Sequence, residues 1–240
     1  MIPGLRITIA KDFNNPYLEK SATGSLLSLA GNMAIYEMRG VYDRGQNRNH
    51  LILNNLNIDD NGLNCDGIEQ HNAYTGLIEP EEFTIVTSIY VHENPTQTSQ
   101  IYSSIAETGS PLSGTRIAIT NTGGLTASVG ANPRVVIMNC GQGVGGWTTF
   151  SFTVTNSGMR LLRMTGQKYE QGYENTIRIP ARVPIILGGG YMAPHNIGIK
   201  GHIGVFAMYN RSFTEAEQMD LIQKTNAVMK DKGIIVGLSY

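Results

Sequence analysis

The chain is poor in charge, in cysteine and in long apolar runs. Charged residues make up 15% of its 240 residues, with 18 basic against 19 acidic, whereas soluble domains average about 25%. A net charge of -1 leaves no basic field to neutralise a phosphate backbone, which excludes nucleic acid as a partner. No Lys/Arg-rich amphipathic stretch offers itself to a membrane surface. No apolar run approaches the roughly 18 residues of a spanning helix, so no membrane partner is expected. Met1-Ile2-Pro3-Gly4-Leu5-Arg6 lacks the basic flank and apolar core of a secretion signal. The expectation is a protein used without standard secretion, or one whose signal has already been removed. The two cysteines, Cys65 and Cys140, are too few for a disulfide scaffold and form no CxxC pair. Two buried free thiols are favoured over one bridge.

Glycine, by contrast, is abundant, with 28 residues, and asparagine is frequent. Both favour tight turns with positive φ. The apolar residues fall in short runs between those turns. Phe83-Thr84-Ile85-Val86-Thr87-Ser88-Ile89-Tyr90-Val91 has the β-branched and aromatic content of a central strand. Asp59-Asp60-Asn61-Gly62 signals a hairpin turn. After Trp147, alternation puts Phe150, Phe152 and Val154 on one face and Thr149, Ser151 and Thr153 on the other. From Gly201 to Tyr209 the same rule groups Ile203, Val205, Ala207 and Tyr209 against His202, Phe206 and Met208. One helix is expected after Thr214, whose hydroxyl and Glu217 fit a capping box. Met219, Ile222, Asn226 and Met229 share a face of it. A further strand is expected over Leu5-Arg6-Ile7-Thr8-Ile9. The total is roughly twelve to fifteen short strands at about 8–12-residue spacing, the pattern of an all-β, two-sheet antiparallel jelly-roll sandwich with one C-terminal helix.

Six stretches, in order, carry a family resemblance. Tyr42-Asp43-Arg44-Gly45-Gln46-Asn47-Arg48-Asn49-His50 resembles the D-x-S-G-N-x-N-H opening of concanavalin A-like lectin/glucanase domains of the laminin G-like type, with Arg44 where serine is usual. Gly62-Leu63-Asn64-Cys65-Asp66-Gly67 resembles their G-L-x-F-D-G strand. Phe83-Thr84-Ile85, Trp147-Thr148-Thr149-Phe150 and Ile185-Ile186-Leu187-Gly188-Gly189 match further strands. The stretch from Gly201 to Glu217 resembles G-x-I-D-E-V-x-I-Y-N-R-A-L-S-x-x-E, except that Gly204 and Val205 replace the acidic pair. The resemblance covers residues 36–223. It implies a concanavalin A-like fold with residues 1–35 as an N-terminal docking extension and 224–240 as the helix end and an apolar tail. It leaves function open, because such domains include sugar binders, protein binders, hydrolases and structural modules.

Little in the chain points to catalysis. Glycoside hydrolysis needs two carboxylates about 5–9 Å apart, and the E-x-D-x-E run that aims them from one strand is missing. Glu79-Pro80-Glu81-Glu82 is the nearest acidic cluster, and its proline marks a solvated turn. The five histidines show no paired ligand spacing, and no G-x-S-x-G elbow occurs. Calcium is the one cofactor with candidate ligands, in the oxygen-rich turns at Asp43, Asn47 and Asn49 and at Asp59 and Asp60; ordinary Asx-turns account for them equally well. Candidate sugar contacts are Tyr169, Tyr173, Tyr191, His195 and Asn196, set against tyrosines that merely cap the sandwich edges.

The reading is a non-enzymatic structural or adhesive protein. In composition and stand-alone organisation it is similar to the tail, fibre or capsid accessory proteins of phage particles. That places it in the virion, touching other structural proteins, copies of itself and host surface glycans. The alternatives are a carbohydrate-binding module of a secreted bacterial protein, located outside the cell or on its surface, and a polysaccharide hydrolase or lyase of the same fold.

Overall fold

The structure is a computed structural model that describes residues 25–106 and 111–237. The strand expected between Leu5 and Ile9 lies outside them. The chain begins with β1 (Asn32–Tyr36), β2 (Ile52–Asn54), β3 (Asn57–Asp59), β4 (Gly62–Asp66) and β5 (Asn72–Tyr74). The long β6 (Phe83–Val91) follows, then β7 (Ser99–Ser103), β8 (Thr115–Ile119), β9 (Gly124–Val129), β10 (Ala131–Asn132) and β11 (Val136–Gln142). After β12 (Thr148–Val154), β13 (Gly158–Arg163), β14 (Lys168–Gly172), β15 (Ile177–Arg178) and β16 (Ile186–Leu187), the chain ends with β17 (Lys200–Tyr209) and α1 (Glu215–Asp231).

Among the described residues, eight strands form the first sheet, in the order β14-β13-β12-β6-β17-β4-β3, with β1 also pairing β17. Seven form the second, in the order β11-β9-β8-β7-β16-β5-β2, and β10 with β15 makes a small ribbon. Every strand pairing is antiparallel. One core lies between the sheets. Ile85, Ile89, Phe150, Phe152, Phe206 and Met208 meet Ile101, Tyr102, Ile117, Ile119, Leu125 and Ala127 there, all of them buried. A second core lies on the far side of the first sheet, where Val86, Leu162, Val205, Ala207 and Tyr209 take up Leu221, Ile222, Val228 and Met229 of α1. Fully burying each such side chain contributes about 1.5–3 kcal/mol. This is an all-β, concanavalin A-like sandwich with one C-terminal helix.

The helix starts where the capping box places it. Thr214 Oγ1 accepts from Glu217 N, and Glu217 Oε2 accepts from Thr214 N at 2.7 Å. Its buried residues are Gln218, Leu221, Ile222, Thr225, Val228 and Met229, so Leu221 and Val228 join the expected stripe, in which Met219 packs partly buried against the helix-side core and Asn226 Oδ1 accepts from Thr149 Oγ1 at 2.6 Å. Both cysteines are buried and free.

Three expectations need correction. The strand after Gly201 does not alternate evenly, because the register shifts between Ile203 and Val205. Ile203 joins the core between the sheets, while Val205 faces α1. A side chain at Gly204 would run into Met229 and Trp147, so the bulge sits at the residue without one. The boundary between residues 35 and 36 falls inside β1, and Leu27 already belongs to the helix-side core. Finally, Glu79 is not in a solvated turn. Its carboxylate is buried, accepts from Ser104, Thr115 and, at 3.2 Å, Arg178, and burial pushes its pKa up against those donors.

Candidate functional site

Helix α1 covers one outer face of the sandwich. The other outer face belongs to the second sheet, and register defines it. Ile137, Ser128, Arg116, Ser103, Ile186, Tyr74 and Ile52 pair in succession across six neighbouring strand contacts. Alternation points this row away from the core, because Ile117, Tyr102 and Ala127 beside it point inward. Ile52 and Ile137, at its two ends, are 65% and 51% exposed. The middle is polar. Gln100, three residues before Ser103 across a register shift and paired with Ala118, joins Ser103, Arg116 and Ser128 there.

Two groups in this middle lack internal compensation. Gln100 is fully buried, yet neither its amide nitrogen nor its amide oxygen has a partner among the described residues. Buried polar atoms are bonded in the large majority of cases, so a side chain with both ends idle is unusual. Arg116 is half-buried. Its Nη1 lies 2.9 Å from His195 Nδ1 and its Nε 3.4 Å from Ser128 Oγ, and no carboxylate pairs with it among the described residues. Burial pulls the Arg116 pKa down. Burial first, then the neighbouring guanidinium, pulls that of His195 down. His195 is therefore held as a neutral acceptor from Arg116.

The segment that presents His195 is fastened beside this row. Gln100 N donates to Ile197 O at 2.8 Å, and Ile199 N donates to Gln100 O at 3.1 Å. Tyr191 Oη donates to Pro184 O, and burial, then Tyr74, pushes its pKa up to about 12. Asn196 is buried, and its Nδ2 donates to Glu69 Oε1 at 2.5 Å. Tyr191, His195 and Asn196 thus share one segment against the second sheet. Tyr169 and Tyr173 do not join them. Tyr169 sits on the edge strand β14, with its hydroxyl 3.4 Å from Gln167 Oε1. Tyr173 is buried near Glu79 and Arg178, and burial raises its pKa. Gln100 and Arg116 escaped the sequence reading because they sit inside strands; the one available signal was a lone charge within Thr115-Arg116-Ile117.

The oxygen-rich turns use their carboxylates locally. Asp43 Oδ1 accepts from Ile35 N and Gly45 N, and its Oδ2 accepts from Asn49 N. Asn47 and Asn49 donate their side-chain amides to Met33 O. Asp59 Oδ1 accepts from Asn61 N and Gly62 N, its Oδ2 pairs with His202 at 3.0 Å, and Asp60 lies in the same tight turn. These are Asx-turns with backbone partners. Among the described residues no three His, Cys, Asp or Glu side chains converge as a metal set.

No protein-family model matches the chain, and no curated protein matches it by sequence. Solved structures do match. Domain 4 of AbnA, an extracellular arabinanase from Geobacillus stearothermophilus in complex with arabinotriose, aligns at TM-score 0.58 and 15% identity, over 80% of this chain and 98% of that one. The CBM40 of the Ruminococcus gnavus IT-sialidase, bound to α2,3-sialyllactose, aligns at 0.50 and 18%, over 65% and 96%. Trypanosoma rangeli sialidase aligns at 0.60 and 13% over 84% of this chain, which spans only 34% of the sialidase. At these identities the likeness is one of fold.

Proposed function

We propose that the protein is a non-catalytic carbohydrate-binding module that takes an acidic glycan on the outer face of its second sheet. The observation that carries this is Arg116, a half-buried guanidinium on that face that meets His195 but no carboxylate among the described residues. A sugar carboxylate supplies what Arg116 lacks through a two-pronged charge-assisted bond. The matched CBM40 is bound to sialyllactose and the matched arabinanase domain to arabinotriose, and this chain spans nearly all of each. These comparisons favour a glycan-binding module, working outside the cell or at a surface, over the virion-accessory reading. A module rather than an enzyme is also the better account of a chain matching about a third of the sialidase.

A glycan array separates the readings. The expected result is retention of glycans that end in a carboxylate-bearing sugar over their neutral counterparts. An array with no acidic preference overturns the assignment of Arg116, and a silent array overturns the glycan reading as a whole.

A further inference from the structure

A second place has the makings of a sugar site, and it lies on the opposite outer face, beside the end of α1. Tyr90, His92, Trp147 and His202 line a cavity of about 300 Å³ together with Asn61 and the Gly233, Ile234 and Ile235 that follow α1. The volume is at the small end of ligand pockets, roughly 300–1,000 Å³, and suits one ring rather than a chain. The wall is built of touching rings. Tyr90 and Trp147 lie 5.7 Å apart with planes tilted by 40°, His92 stands edge-on to Tyr90 at 5.0 Å, and His92 meets His202 at 5.6 Å. The bulge at Gly204 makes this possible, since it turns His202 to the same side as Trp147, 6.4 Å away.

The charges near the cavity have internal partners, and Lys232 Nζ, beside it, donates to Asn61 O at 3.3 Å and to Gly204 O at 3.0 Å. His202 Nε2 is paired with Asp59 Oδ2 at 3.0 Å, and Lys200 with Glu93 at 2.8 Å. Burial, followed by the charges of His202 and Lys200, pulls the His92 pKa down, which leaves a neutral imidazole able to donate and accept. A wall of π faces with a few hydrogen-bonding groups, none of whose lining side chains carries an unpaired charge, fits a neutral sugar, whose C–H face packs on aromatic rings while its hydroxyls reach polar edges.

We infer that the cavity between Tyr90, Trp147 and His92 and the segment after α1 is a second glycan subsite, specific for one neutral pyranose unit. It deepens the glycan-binding reading but uses none of the groups around Arg116. Trp147 is the single tryptophan of the chain, so its fluorescence reports on this cavity. The test titrates the full chain with methyl glycosides of glucose, galactose and mannose. At least one is expected to change the emission saturably. Tyr90→Ala and His92→Ala are each expected to weaken that response about tenfold or more, and Arg116→Ala to leave it intact. His92 is exposed, so its variant decides the matter even if Tyr90→Ala fails to fold. The absence of a saturable change with all three sugars, or a response unaltered in His92→Ala, overturns the inference. A response that survives Arg116→Ala while acidic-glycan binding is lost separates the two sites.

Discussion

Glu79 and Arg178 show how burial reshapes single residues. Both side chains are almost wholly buried, 3.2 Å apart. The guanidinium also donates to Pro80 O and Glu81 O and lies 5.5 Å from the Phe83 ring centre. Truncating one partner strands the other charge in the interior, which costs about 3–5 kcal/mol. Arg178→Ala is therefore expected to lower stability by that amount in denaturant unfolding, whereas Glu170→Ala, on an exposed partner of Lys168, is expected to cost less than about 1 kcal/mol. The same contrast explains what could be read beforehand. Tyr191, His195 and Asn196 stood out because aromatic, imidazole and amide groups in a turn have few uses. Glu79, beside a proline and among other acids, looked solvated; its partner lies 99 positions later in the chain. Gln100 and Arg116 are ordinary residues until register puts them on one face.

At the scale of elements, α1 was the most legible, because its start is encoded within four residues. Glu217 is held well below the ordinary carboxylate value, at about 2, by its bonds from Thr214 and Arg211. A carboxyl with a lowered folded pKa stabilises fully above its unfolded pKa near 4.5, and the contribution drains as pH falls toward 2. Because the group is solvent-screened, the effect is small. Thr214→Ala is expected to cost about 1 kcal/mol at neutral pH. It is also expected to flatten the acid limb of the stability curve, measured by thermal unfolding between neutral pH and the acid range. The segment beside Gln100 depends instead on a close backbone approach. A Cβ at Gly198 would overlap Gly188 O, so Gly198→Ala is expected to destabilise by about 1–3 kcal/mol. Loss of glycan binding should accompany that loss, because the bonds of Ile197 and Ile199 to Gln100 fasten to β7 the segment that sets His195 against Arg116. Strands such as β6 followed from their composition, but the bulge in β17 did not. Its cause is steric room beside Met229 and Trp147, which only the packed helix reveals.

At the scale of the whole molecule, the two outer faces have different fates. Helix α1 closes most of one and leaves the Trp147 cavity at its end. The other ends in exposed isoleucines and contains Arg116, which meets no carboxylate among the described residues. The sandwich itself was readable from turn spacing and alternation, because burying one face of each strand is a local rule repeated along the chain. Which outer face receives a ligand was not, because that depends on pairing between strands distant in sequence. Calorimetric titration of the protein and its Arg116→Ala variant with α2,3-sialyllactose tests the central claim most directly. The account predicts saturable binding by the parent protein and at least about a tenfold loss in a variant that still unfolds cooperatively at a similar temperature. Equal affinity in the two, or no uptake of the acidic sugar by either, would contradict it.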